Sequence, residues 1–342
     1  MSHFIAIIGG GIIGFTIAEQ LVQANAGSIT LFDRDLVGQG ASARSAGLHF
    51  PLGRSAQARD MAALSQQFYE AEIERDPSGP IRRLEMRVHL AAGTDISALD
   101  VFLDSTRLQG LSGPGPLVQG KNLRSWKASN AHHCQVTARL TQLVRRVSGR
   151  LILREGCVVE GIEETGTTVR VRLGDGTAQD FDRVILAPGP WACESPFMAF
   201  TAGLNIRIKK IVAFHIDAPA GSDDAAELFL SEDAFLLPVP SENRWIYSYT
   251  CDEWDISPAT MSLGARDRAA AQAILRRYVP QWADRLNAGR VFCDAYNTSR
   301  TPLVSEVGDS GRIIFAGAAN GSGYRLAPAL AERVLHSLTP IN

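Results

Sequence analysis

Three glycines spaced as G-x-G-x-x-G, Gly9, Gly11 and Gly14, open the chain, and an acid, Asp33, follows 19 residues later. That pattern suits a dinucleotide. The first glycine permits a tight turn, the second lets backbone approach a pyrophosphate, and the third lets helix pack on strand. The acid can accept from ribose hydroxyls. The chain closes on another small-residue loop, "GAANGSGYRLAP" (317–328), which holds a single cation, Arg325. Glycine and alanine there let backbone come close to something flat or anionic.

The elements that must position these residues are legible. Phe4 to Ile8 form a continuous apolar run, suited to a parallel strand buried on both faces. The helix that follows carries Ile13, Ile17, Ala18 and Leu21 on one face, and its N-terminus offers N–H groups to phosphate. Ser28 to Phe32 read as a second strand with Asp33 at its carboxyl end. Gly9, Gly11, Ile12, Gly14, Asp33 and its neighbour Arg34 are therefore cofactor-binding candidates.

Composition narrows the classes. With 34 Lys+Arg against 36 Asp+Glu, the net charge is −2, and no basic surplus points to nucleic acid. The length of 342 residues predicts two lobes. Five scattered cysteines lack metal or C-x-x-C spacing and read as reduced thiols. "MSHFIAIIGGG" has no basic leader, and no apolar stretch approaches the roughly 20 residues of a membrane span. A cytoplasmic protein without a metal site or membrane span is expected.

Further motifs distinguish FAD from NAD. "GQGASARSAGLHF" (38–50) follows the acid, and "FDRVILAPGPWA" (181–192) is a strand ending in Ala-Pro-Gly. With "GSGYRLAP", these segments resemble the D-amino-acid oxidase superfamily of FAD enzymes, which includes glycine oxidase, monomeric sarcosine oxidase and D-amino-acid dehydrogenases. "GRSAQARDMAALSQQFYEA", "KKIVAFHIDAP" and "SEDAFLLPVP" are similar to its D-arginine dehydrogenase-like branch. The resemblance implies an FAD flavoprotein of α/β class (α+β overall), with a Rossmann-like FAD-binding domain and an antiparallel-sheet substrate domain. It also implies cofactor contacts from Ser42, Ala43, Arg44, Ala46 and Gly47, and from Val159, Ala187, Gly189 and Trp191. The closing loop would add Gly317, Asn320, Gly321, Ser322, Gly323 and Tyr324.

The cofactor domain is expected from residues 1–75, 132–195 and 296–342, and the substrate domain from 76–131 and 196–295. Residues 135–146 predict an amphipathic helix, Gly174-Asp175-Gly176 a hairpin turn, and "QGLSGPGPLVQG" (109–120) a loop. Pro328 is expected to open the final helix.

Amine oxidation by a flavin asks the protein chiefly to anchor the substrate, and arginine holds a carboxylate by two parallel hydrogen bonds. Sarcosine-oxidase-like enzymes carry a lysine at the place matching Arg325, so Arg325 is the expected anchor. Arg54 and His49 match positions over the ring, and Lys210 reads as a sheet-surface charge. The chain also departs from the family. "CDAYNTSRTPLV" lacks the usual arginine and offers Asp294 or its neighbours. Phe235 stands where a tyrosine is usual, with Tyr247 and Tyr249 as substitutes, and Cys293 lies near a place of covalent flavin attachment. "RWIYSYT" has no oxygen-activating lysine, which favours a dehydrogenase using another acceptor or partner subunit. Three functions stay open: C–N oxidation of an amino acid or secondary amine, oxidation of a 2-hydroxyacid, and an FAD-holding subunit of a larger complex.

Overall fold

The computed structural model describes residues 3–120 and 122–338. A six-stranded sheet has the strand Phe4–Ile8 inside it, flanked in parallel register by Ser28–Phe32 and Arg183–Leu186. Ile152–Arg154 extends it on one side. On the other come Ile313–Gly317, parallel, and Leu303–Val307, antiparallel. The central strands are buried on both faces because both are covered. Helices Ile12–Gln23, Val136–Val147 and Gly323–Leu338 pack one face around Phe15, Leu21, Leu143 and Val334. A three-stranded antiparallel sheet, Val159–Glu164, Val169–Leu173 and Ala178–Phe181, covers the other through Val169, Val171 and Phe181. Each such side chain contributes about 1.5–3 kcal/mol on burial.

The remaining strands form one nine-stranded sheet that is antiparallel except where Ala226–Phe229 runs parallel to Ile81–Ala91. It begins at Leu286–Asn297 and Ile206–Ile216, and ends at Leu123–Cys134 and the two-residue strand Leu48–His49. Helix Ala265–Tyr278 covers its outer face with Ala271 and Leu275. The strand Leu108–Leu111, which takes in the first three residues of the stretch 109–120 expected to be a loop, pairs with Leu123–Cys134.

The final helix corrects the expectation at Pro328. It begins at Gly323, so Pro328 lies inside it and Arg325 sits in its first turn. A proline there cannot bond the carbonyl four residues back. That acceptor is the Tyr324 carbonyl, and the buried Tyr69 hydroxyl donates to it instead. Tyr69 belongs to helix Ala56–Arg75, which starts at Ser55, whose hydroxyl oxygen accepts from the Ala58 N–H at 3.1 Å.

Among the described residues, no helix is long and apolar enough to cross a membrane, and all five cysteines are free.

Candidate active site

A cavity of about 760 Å³ runs between the six-stranded and nine-stranded sheets. At one end is the glycine turn. Gly9 has φ +114°, and a Cβ there would lie 2.2 Å from the Ala187 carbonyl oxygen. A Cβ on Gly14 would lie 1.9 Å from the Gly9 oxygen. Gly14 thus serves close helix–strand packing and does not line the cavity, whereas Gly9, Gly11 and Ile12 do.

Asp33 and Arg34 line the same end. The Asp33 carboxylate accepts from the Gly10 N–H at 2.7 Å and the Asp35 N–H at 2.9 Å, which ties the second strand to the turn. Burial nevertheless pushes its pKa up, against these two hydrogen bonds. Arg34 stacks 5.0 Å from the Trp191 ring centroid. The Ile12 N–H donates to Ser42 Oγ at 2.9 Å, so the segment after the acid is fastened to the start of the first helix.

Of the remaining cofactor candidates, Ser42, Arg44, Ala46, Gly47, Val159, Ala187, Gly189 and Trp191 line the cavity, as do Asn320, Gly321, Ser322, Gly323 and Tyr324. Ala43 and Gly317 do not. Gly317 ends the strand Ile313–Gly317, where a Cβ would meet the Phe315 ring at 3.1 Å. A long cradle of backbone and small residues, with an acid at the end of the second strand, fits FAD. Gly189, at φ +57°, faces open space where a Cβ would meet nothing within 4 Å.

At the other end, Arg325 and Arg54 both line the cavity. The Arg325 guanidinium donates to Ser322 Oγ at 2.8 Å and to the Phe50 carbonyl at 3.3 Å, and it lies 4.8 Å from the Phe50 ring centroid. It has no carboxylate partner among the described residues. Burial lowers its pKa to about 10; Asp233 opposes that shift and Arg54 adds to it. The group stays cationic at neutral pH. Arg54 is paired with Asp233 at 3.2 Å, and Asp233 also accepts from the Thr250 hydroxyl at 2.9 Å.

His49 corrects the expectation of a residue over the ring. Leu48 and Phe50 line the cavity, so strand alternation turns His49 to the opposite side. It is fully buried, 2.6 Å from Gln66 Oε1 and stacked on His132 at 4.3 Å. Burial and then the charge of Arg325 push its pKa down to about 3, so it is neutral and stands behind Arg325.

The departures resolve individually. Asp294 lines the cavity, and its carboxylate accepts from the Ala295 and Gly321 N–H groups, bracing the closing loop. Burial raises its pKa to about 6. Cys293, its neighbour, faces the core with Val159 and Ile208 and does not line the cavity. Burial raises that thiol to about 12, away from the thiolate that attachment requires. Phe235 does line the cavity. Tyr247 is core, and the Tyr249 hydroxyl donates to the Asp267 carbonyl. Lys210 is not a surface charge: it is buried between Glu253 at 3.1 Å and Asp267 at 3.0 Å.

Sequence reading missed Lys209, Trp254, Tyr296 and Arg300, all on the cavity wall. The signal was period-two alternation in Ile206–Ile216. Arg207, Lys209, Ile211 and Ala213 share the cavity face, so a one-residue choice separates Lys209 from Lys210.

A parallel sheet with a glycine turn, a second sheet roofing it and a cradle between them define a dinucleotide-binding flavoprotein. The chain belongs to the FAD dependent oxidoreductase (DAO) family, whose model matches residues 5–336, and it is an FAD-dependent enzyme. Its fold is similar to glycine oxidase from Geobacillus kaustophilus, at TM-score 0.80 and 17% identity, covering 98% of this chain and 95% of that one. L-proline dehydrogenase from P. horikoshii aligns at TM-score 0.83 and 16% identity, covering 99% and 93%. L-amino acid deaminase from Proteus vulgaris aligns at TM-score 0.80 and 12% identity, covering 100% and 95%. No curated protein matches in sequence.

Proposed function

We propose that the protein oxidises the C–N bond of an amino acid or secondary amine to an imine, which water then hydrolyses. The observation that carries this reading is Arg325, a cation at the cavity wall without a carboxylate partner among the described residues. Two of its N–H groups hold Phe50 O and Ser322 Oγ, and the remaining donors can grip a substrate carboxylate by charge-assisted bonds. Arg54, held by Asp233, stands as a second positive edge to that subsite. Phe50, Phe235 and Phe292 line the cavity and keep water from the reacting carbon. When bound, FAD accepts the hydride from the carbon beside nitrogen. Asp294, with its pKa near 6, is largely ionised at neutral pH and favours a cationic amine approaching that wall.

The related proteins named above act on amino acids according to their names, which supports the same class here. A cytoplasmic setting is part of the proposal, supported by the five free cysteines. The test is an anaerobic panel of amino acids, secondary amines and 2-hydroxy acids with the FAD-loaded protein, read by flavin bleaching. Bleaching by amines and not by hydroxy acids is expected; bleaching by hydroxy acids alone would overturn the reading.

A further inference from the structure

Lys209 is a second cation on the cavity wall without a counter-charge in contact. It is 7% exposed, and its ammonium makes no hydrogen bond or ion pair among the described residues. It lies 4.8 Å from the Trp254 ring centroid and 5.4 Å from that of Tyr296, whose rings meet nearly at right angles. These two faces hold the ammonium without neutralising it. Burial lowers the amine pKa. Asp252 and Asp233 act against that shift from beyond ion-pair distance, and Arg300 at the rim adds to it. Asp233 is already committed to Arg54 and Thr250.

Arg325 is reached from Lys209 across one short segment. The Tyr296 hydroxyl lies 2.7 Å from where a Gly321 Cβ would stand. The adjacent Ser322 accepts from Arg325. Of the charges lining the cavity, those without an ion pair among the described residues are Arg44, Lys209, Arg300 and Arg325 against Asp33, Asp252 and Asp294, an excess of one positive charge (four minus three).

We propose that the substrate is an amino acid or secondary amine bearing two carboxylates, one held by Arg325 and the second by Lys209 with Arg300. This rests on the C–N reading above. A dicarboxylate with a protonated amine carries net charge −1 and offsets that excess. A simple zwitterion leaves Lys209 desolvated and uncompensated, which is costly.

The experiment uses the FAD-loaded protein under anaerobic conditions. Iminodiacetate, aspartate and glutamate are compared with glycine, alanine and proline, using both enantiomers where they exist. Separately, succinate and acetate are titrated as non-reacting ligands by flavin absorbance. Dicarboxylates are expected to exceed monocarboxylates in kcat/KM by about tenfold or more, and succinate to bind about tenfold tighter than acetate. Lys209→Met should collapse both ratios, and Lys209→Arg should restore them. Ratios near one in the wild type overturn the proposal. So does a Lys209→Met protein that keeps both ratios and only slows flavin reoxidation by oxygen, an outcome that assigns Lys209 to the oxidative half-reaction. If no amine bleaches the flavin, the C–N reading fails, and the succinate–acetate comparison still decides the subsite.

Discussion

Two groups of arginines lie in protected surroundings, and the fold treats them oppositely. Arg139, 2% exposed, pairs with Glu72 at 2.5 Å and Glu19 at 3.4 Å. Arg146 reaches the same two acids at 2.7 and 2.9 Å. Arg75, at the end of its helix, adds a third cation on Glu72 at 2.7 Å, and the network joins helices Ile12–Gln23, Ala56–Arg75 and Val136–Val147. Arg325 meets a carbonyl, a hydroxyl and the face of the Phe50 ring, and no carboxylate among the described residues. Taking a charge from water is costly unless it is paired. The first group meets that cost inside the chain, while the second has no carboxylate among the described residues to meet it, which is why we propose a ligand there. Burial alone therefore does not mark a site; the missing partner does.

Replacing Arg139 by Met should break the comparison most visibly. Glu19 and Glu72 would keep only the more exposed Arg146 and Arg75 and lose their buried partner, and breaking a buried pair costs about 3–5 kcal/mol. Urea unfolding of wild type and variant measures the loss, with turnover per folded molecule expected to hold. Arg325→Met should show the reverse pattern. Stability should change by less than about 1 kcal/mol, while the loss of a charge-assisted contact, about 2–5 kcal/mol, raises KM about thirtyfold or more. A variant with normal KM and lost stability would erase the distinction between the two groups.

A smaller effect links the anchor to the histidine behind it. His49 and His133 have pKa values pushed down to about 3 and about 4, chiefly by burial. Their folded values lie below the ordinary value near 6.5, so the unfolded chain takes up these protons first. Their contribution is complete above about pH 6.5 and is lost as pH falls toward 4 and then 3. Arg325→Met removes a neighbouring positive charge and should raise the His49 pKa. The acid loss should then shrink by up to about 1.4 kcal/mol, one pKa unit. Unfolding followed from pH 7 down to about pH 3 reads the difference, most of which falls below pH 4, and identical curves there would separate His49 from Arg325. The smallest effect is expected at Arg54→Ala. Its partner Asp233 is 63% exposed, and such pairs contribute at most about 1 kcal/mol. Melting temperature should barely move; a large drop would make the pair structural.

The cofactor end was readable because its requirements are local. Gly9 takes a positive φ and Gly14 leaves no room beside the Gly9 carbonyl, both within one turn, and Asp33 is placed by the strand it ends. The final helix was misread at Pro328 because its start depends on Tyr69, distant in sequence, which bonds the carbonyl that proline leaves free. His49 was misassigned by one step of strand alternation, and Lys209 was hidden behind Lys210 for the same reason.

From its order of residues alone, the chain settled the glycine turn and the parallel strands, which follow from backbone freedom and apolar period, and its further motifs carried the resemblance to the FAD family. Which side chains meet over the cradle was decided only by folding. Arg54, Lys209, Asp233, Asp294 and Arg325 come from segments far apart in the chain. For Lys209 and Asp294 the outcome depends on register in the nine-stranded sheet, where a shift of one residue exchanges cavity for core. Whether a cation ends up compensated, like Lys210, or free for a ligand, like Lys209, is a property of that register.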